Sequence, residues 1–151
     1  MFAVIRKNRL ILSAVFAALI LIAIIVGIYS LDNKTNDTVV DFLHSHGWEV
    51  SEAPLSMSHL TIPTEFDEVY KAYNEIQLES KLDLSPHKGH KAERLSYKVL
   101  NHTYSESQTV LANVIYCNEE SIIIGADVSG TEPDSFMHAV NDTAQLIVPQ
   151  E

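Results

Sequence analysis

The sequence has one cysteine, five glycines and five prolines in 151 residues. A single cysteine excludes both a disulfide-stapled domain and a zinc site built from several cysteines. Few glycines and prolines, together with 46% hydrophobic residues, exclude a collagen-like or fully disordered chain. Basic residues are also scarce, with ten Lys and Arg against twenty Asp and Glu. Because binding to nucleic acid needs clustered positive charge, this balance argues against nucleic acid as a partner.

Charge is absent from one long segment, residues 10–31. A helix of this length covers roughly 33 Å, enough to cross a hydrocarbon core of about 30 Å. Three of residues 1–9 are basic, whereas acidic residues follow the segment. The positive-inside rule therefore predicts a cytoplasmic N-terminus at 1–9, a single membrane anchor at 10–31 and an exported remainder. The alternative is a signal peptide cleaved after Ser30, which would give a secreted protein.

The exported part is predicted to be a short polar linker, residues 32–37, and one extracytoplasmic domain, residues 38–151. Seven basic and twenty acidic residues follow position 31, which gives this part a net charge of −13. A domain of about 115 residues can bury its own hydrophobic core. Its acidity predicts that it stands away from an anionic bilayer. None of these patterns determines the oligomeric state.

Hydrophobic periodicity predicts a small α+β domain with the order α-β-β-α-β-β-β. The first helix is expected to begin at Asn36 or Asp37 and to end at Gly47. A second helix is expected from a Thr64 cap, with Asp67 returning the capping bond, to about Lys81. The apolar stripe of this second helix is interpreted as core and consists of Phe66, Val69, Tyr70, Tyr73 and Ile76.

The strands are predicted from apolar alternation and from continuous apolar runs. They are expected at Trp48–Val50 and Leu60–Ile62 (a hairpin), Leu95–Val99, Thr109–Cys117 and Ser121–Val128. Trp48 is predicted to be a core residue, Gly125 marks a bulge or close approach, and Glu119–Glu120 form a turn tip. We expect an antiparallel sheet with helices on one face, followed by a short helix within Pro133–Val140.

Several short blocks occur in a fixed order along the chain. They include Gly47-Trp48-Glu49-Val50, Phe66-Asp67-x-Val69-Tyr70, Asp83-Leu84-Ser85-Pro86-x-Lys88-Gly89, Ala112-Asn113-Val114 and Phe136-Met137-His138. This ordered set resembles a domain-of-unknown-function family, DUF4830, over residues 38 to about 140. The resemblance implies a Gram-positive bacterial protein with one anchored or secreted extracytoplasmic domain. It implies no activity, catalytic residue or cofactor.

Sequence patterns of serine hydrolases, P-loops, dinucleotide-binding folds and zinc proteases do not occur in the chain. We therefore predict no catalytic residue, no metal site and no cofactor. His87 and His90 have a spacing compatible with metal ligands, but the charges of Lys88 and Lys91 would oppose a cation there. Cys117 lies in an apolar strand and is interpreted as a small core residue.

A cluster of basic residues is the candidate binding site. Five of the seven basic residues after position 31 fall between Lys81 and Lys98. The candidate ligand- or partner-binding residues are His87, Lys88, His90, Lys91 and Arg94. Because loops often carry function, this cluster predicts recognition of an anionic wall polymer or an acidic protein segment. The other interpretation is a solvated strand edge at which lysines discourage edge pairing.

Two functions follow from these observations. The first is a non-catalytic binding or interaction module at the cell envelope, tethered through residues 10–31. The alternative is an envelope hydrolase or transferase whose acid/base pair comes from carboxylates such as Glu119, Glu120 and Asp127. A deep pocket that holds two facing carboxylates would distinguish the enzyme from the binding module.

Overall fold

A computed structural model of the chain describes residues 18–22 and 34–147. The anchor predicted at 10–31 lies outside these residues except for 18–22, which are helical. The alternative cleavage position at Ser30 also lies outside them. Among the residues that the structure describes, no helix combines the length and the apolar character that crossing a membrane requires. Residues 34–37, within the predicted linker, are helical.

The chain divides into two units, Met1–Asp37 and Thr38–Glu151. Residues 34–45 are helical. The part of this helix that lies in the second unit, residues 38–45, is called α1. The other elements are β1 (Ser56–Thr61), α2 (Glu68–Glu79), a 3-10 turn (Ser85–His87), β2 (Lys91–Lys98), β3 (Val110–Cys117), β4 (Ile122–Gly130) and β5 (Met137–Ala139). Within the described residues these five strands form one antiparallel sheet in the order β1-β2-β3-β4-β5. The predicted α+β class and antiparallel sheet are confirmed.

Local turn chemistry explains where α1 ends. Gly47 has φ +88, the left-handed region that glycine adopts without steric cost. Its N–H donates to the carbonyl of His44 at 2.9 Å, and the N–H of Trp48 donates to that of Leu43 at 3.1 Å. These bonds satisfy carbonyls that would otherwise be unpaired at the helix end. The predicted end of the first helix is confirmed.

The start of α2 differs from the prediction. Asp67, not Thr64, is the N-cap, and its Oδ1 accepts a hydrogen bond from the N–H of Tyr70 at 2.7 Å. A carboxylate at this position satisfies a first-turn donor and also interacts favourably with the helix dipole. The helix ends at Glu79, and Lys81 follows with φ 60.

The predicted hairpin between Trp48–Val50 and Leu60–Ile62 is wrong. Val50 makes only an isolated bridge, to Val99. β1 pairs instead with β2, in a register that places Leu60 opposite Ala92. Both side chains belong to the cluster that α2 covers, and this burial selects the register.

Helices cover both faces of the sheet, so the prediction of helices on one face is wrong. On one face, Val39 and Leu43 of α1 pack in the same cluster as Leu95 of β2. On the opposite face, Tyr73 of α2 packs against the cluster that contains Ile115 of β3. Seven of the eight residues of β3 are buried. Successive side chains of a strand point to opposite faces of the sheet, so a strand in which nearly all side chains are buried must be covered on both faces.

The short helix predicted within Pro133–Val140 is also wrong, because this segment contains β5. Met137–Ala139 pairs with β4, opposite Asp127–Ser129. A three-residue segment is too short to show a period that separates helix from strand, so pairing with the edge of β4 decides its structure. Trp48 is fully buried and Gly125 lies in a close approach, as both were predicted. The register also shifts beside Gly125, between β3 and β4.

Candidate functional site

The five predicted binding residues are distributed over several places. Lys88 lies with its Nζ 4.5 Å from the centre of the Phe66 ring. Lys91 lines a cavity of about 600 Å³ together with Glu93 and Glu119. Two carboxylates thus share the surroundings of Lys91.

His87 and His90 come together, and both contact a residue that the sequence did not place beside them. The Nδ1 atoms of both rings lie 3.1 Å from the same oxygen, Oε1 of Glu120. Glu120 belongs to the turn between β3 and β4, which was predicted as a turn tip. Because β2 and β3 are antiparallel, the beginning of β2 lies beside the end of β3. The pairing register of β2 with β3 is the signal that would have predicted Glu120 as a neighbour of His87 and His90.

Arg94 lies apart from this loop, beneath α2. It lines a cavity of about 480 Å³ whose other lining residues are Leu60, Val69, Tyr70, Ala72, Tyr73, Ile76, Ile115 and Met137. The Nε of Arg94 is buried and has no hydrogen-bond partner among the described residues. A buried donor without a partner costs about 1–3 kcal/mol. A guanidinium among apolar side chains is suited to receive an anion.

The apolar stripe of α2 is only partly core. Tyr70 and Tyr73 are half-buried and pack against the sheet, as expected. Val69, however, is 77% exposed. Together with Ile76, these side chains form one wall of the cavity that contains Arg94. The prediction that the whole stripe is core is therefore wrong at Val69.

A buried polar network adjoins the cavity. The hydroxyl of Tyr73 donates to Oδ2 of Asp127 at 2.8 Å, and Nδ2 of Asn113 donates to Oδ1 at 2.8 Å. Asn113 in turn accepts a hydrogen bond from the hydroxyl of Ser96 at 2.7 Å. Burial raises the pKa of Asp127, while these hydrogen bonds and the charge of Arg94 act in the opposite direction. Burial also raises the pKa of Tyr73, and the neighbouring carboxylate adds to this effect.

The carboxylates named for an acid/base pair lie in different environments. Glu119 and Glu120 are exposed in the β3–β4 turn, whereas Asp127 is fully buried within β4. Five residues of strand, about 16 Å, separate Ile122 from Asp127. The glutamates and Asp127 therefore do not face one another across one pocket.

Cys117 is buried in the cluster under α2, which confirms its interpretation as a core residue. Its Sγ also lies 4.0 Å from Oε1 of Glu120. The core at the end of β3 thus reaches the polar group formed by His87, His90 and Glu120.

Comparison with known proteins identifies the family but no individual relative. The family model described as a domain of unknown function, DUF4830, matches residues 42–128. No curated protein and no solved structure matches the chain. The matched range includes Arg94, Asp127 and the three residues that contact one another, His87, His90 and Glu120. Since the match covers more than half of the 151 residues, the chain belongs to the DUF4830 family.

Proposed function

We propose that this domain is a non-catalytic binding module that takes a small amphipathic anion into the cavity beneath α2. The observation that carries the proposal is the position of Arg94, which is half-buried and lines this cavity among mostly apolar side chains. An anionic group on the ligand would pair with the guanidinium of Arg94. The apolar wall formed by Ile76, Ile115 and their neighbours would hold the apolar body of the ligand.

The dimensions and accessibility of the cavity support a small ligand. Its volume of about 480 Å³ lies within the range of about 300–1,000 Å³ typical of small-molecule sites. Val69 and Met137 line it and are 77% and 43% exposed, so the apolar surface reaches solvent. Such an opening admits a ligand without unfolding of α2.

The nearby carboxylate of Asp127 does not occupy the place of a ligand anion on Arg94. Asp127 interacts electrostatically with Arg94, but its two oxygens accept hydrogen bonds from Tyr73 and Asn113. These bonds hold the carboxylate in the buried network, and among the described residues it forms no ion pair with Arg94. A ligand carboxylate would form a charge-assisted hydrogen bond there, which is stronger than one between neutral groups.

In this proposal the anion binds to Arg94 and not to the loop residues Lys88 and Lys91. His87 and His90 contact Glu120, and Lys91 shares its cavity with Glu93 and Glu119. These carboxylates offset the positive charge of the loop. An anionic wall polymer or an acidic protein is the competing partner, and it would use Lys88 and Lys91 instead.

The binding proposal predicts that 4-phenylbutyrate binds and that the neutral 4-phenylbutanol binds more weakly. Calorimetry on the full chain in lipid nanodiscs, with empty nanodiscs as the blank, measures both affinities. Arg94→Gln should weaken binding of the acid roughly 10- to 100-fold, because a hydrogen bond to a charged group contributes about 1.5–3 kcal/mol. Lys98→Gln is the matched control, since it removes the same charge from an exposed position of β2.

Equal affinities for acid and alcohol, or an Arg94→Gln variant that binds like the wild type, would contradict the assignment. Loss of binding in a Lys88→Ser/Lys91→Ser variant, with Arg94 intact, would favour the loop and its polyanionic partner.

We further propose that residues 10–31 anchor the domain outside a bacterial cell membrane. The support is the uncharged segment and the basic residues that precede it. In bacterial fractions, the full chain should stay in the membrane pellet after alkaline carbonate extraction. Deletion of 10–31 should release it, whereas a 22-residue leucine-rich replacement should retain it. A wild-type product that starts after Ser30 would show secretion instead.

A further inference from the structure

We infer that His87, His90 and Glu120 form a binding site for a divalent cation of the zinc class. The three residues come from two places in the fold, the segment before β2 and the turn between β3 and β4. They lie in the same unit as the proposed anion cavity but share no residue with its lining. The inference therefore stands independently of the proposed function.

Two of the three donor-to-donor distances are already close to those that a metal ion imposes. One donor atom from each residue lies within 4.8 Å of the other two. Both histidine Nδ1 atoms are 3.1 Å from Oε1 of Glu120. Around tetrahedral zinc, bonds of about 2.0–2.2 Å place neighbouring donors roughly 3.3–3.6 Å apart. The two Nδ1–Oε1 distances would change by a few tenths of an ångström on binding. Rotation of the imidazole rings would bring the two histidine donors together from a separation of no more than 4.8 Å.

The backbone holds both histidines in place before any ion binds. His87 ends the 3-10 turn, and its N–H donates to the carbonyl of Leu84 at 3.1 Å. Gly89 has φ +81, and its N–H donates to the carbonyl of Ile62 at 2.8 Å. The carbonyl of His90 accepts the N–H of Ile62 at 2.9 Å. Two hydrogen bonds to Ile62 thus fix the turn that brings the two rings together.

The donor set selects the class of cation. Two imidazoles and one carboxylate suit zinc and similar transition metals, whereas magnesium and calcium prefer oxygen ligands alone. Three protein ligands leave one position of a tetrahedron for water or another group. The side chains of His87, His90 and Glu120 are 13%, 39% and 38% exposed, so a cation can reach them from solvent. Cys117, with its Sγ 4.0 Å from Glu120 Oε1, is the nearby soft donor.

The two lysines beside the group have neighbours that reduce their effect on a cation. The ammonium of Lys88 lies over the ring of Phe66, at 4.5 Å from its centre. This contact directs one of the two neighbouring lysines to an aromatic face. The other, Lys91, shares its cavity with Glu93 and Glu119. The carboxylates around the loop therefore compensate its lysines.

Titration of the full chain with zinc chloride tests the site. The protein carries no histidine tag, and binding is measured by calorimetry. We expect one equivalent of zinc to bind and magnesium chloride to give no heat. His90→Gln and Glu120→Gln should each weaken zinc binding more than about 100-fold, because loss of a mere supporting group already costs 10- to 100-fold. Glu119→Gln is the matched control from the same turn and should bind zinc like the wild type.

A second set of measurements keeps folding separate from binding. Circular dichroism melts of each variant without zinc establish that the domain is folded. In the wild type, zinc should raise the melting temperature, and in Glu120→Gln it should not. A wild type that binds no zinc, or a folded His90→Gln/Glu120→Gln double variant that binds it equally, overturns the inference. Unchanged zinc affinity in Arg94→Gln would show that this site is independent of the anion cavity.

Discussion

Replacement of Trp48 by alanine is expected to lower the free energy of unfolding by about 3–5 kcal/mol, the range measured for large aromatic residues in cores. Trp48 has no exposed surface and belongs to the cluster that joins α1 to the sheet. Its Nε1 donates to the carbonyl of Val140 at 2.7 Å. The ring also stacks on His102, with centroids 5.8 Å apart and an angle of 20° between the planes. Truncation would remove packing and leave a buried carbonyl without its donor.

Urea denaturation followed by circular dichroism measures this loss, because the variant has no tryptophan left for fluorescence. Trp48→Phe separates the two contributions, since it keeps an aromatic ring but loses the hydrogen bond. Leu55→Ala is the control at a position that is 60% exposed, where we expect a change within about 0.5 kcal/mol. A loss below about 1 kcal/mol in Trp48→Ala would refute its central role in the core.

Replacement of Gln77 by leucine is expected to cost about 1–3 kcal/mol, the desolvation cost of a buried donor left unpaired. Gln77 is fully buried on α2, and its Oε1 accepts the N–H of Ala126 at 2.6 Å. A Cβ at Gly125 would lie 3.2 Å from the same oxygen, so the absence of a side chain at Gly125 avoids a steric conflict with Gln77. Leucine has a similar volume but offers no acceptor to the backbone of β4.

Two measurements test the Gln77 prediction. Urea denaturation gives the change in stability, and hydrogen exchange of the Ala126 amide should become faster in Gln77→Leu. Lys71→Leu places the same side chain at an exposed position of α2 and should change stability by no more than about 0.5 kcal/mol. Unchanged stability together with unchanged exchange at Ala126 would show that this hydrogen bond does not support the fold.

The candidate sites show which functional residues local sequence patterns can predict and which they cannot. The spacing of His87 and His90 was visible, but Glu120 lies 30 residues after His90. Only the antiparallel register of β2 and β3 brings it to them. From the sequence, Lys88 is expected to repel a cation because it lies next to His87, but neighbours in sequence need not have their side chains close in space. Its contact with Phe66 depends on the packing of two segments that are distant in the chain.

For the strands, local pattern predicted the positions along the chain but not the pairing partners. The central strands were predicted closely: Thr109–Cys117 became Val110–Cys117, and Ser121–Val128 became Ile122–Gly130. Alternation and apolar runs reflect backbone geometry, which acts over a few residues. The choice of partner for β1 depends on which pairing buries Leu60, and that depends on α2. Local pattern carries no information on this choice.

Local sequence patterns were enough to predict the α+β class, the central strands, the helix end at Gly47, the burial of Trp48 and the resemblance to DUF4830. These properties depend on composition and on periods of two to four residues. Packing between distant segments determines which faces the helices cover, the stacking of His102 on Trp48, and the position of Arg94 in a mostly apolar cavity. Each of these depends on contacts between residues far apart in the chain. Such contacts are selected by the burial of whole surfaces, because the free energy of burial is shared among all the residues that pack together.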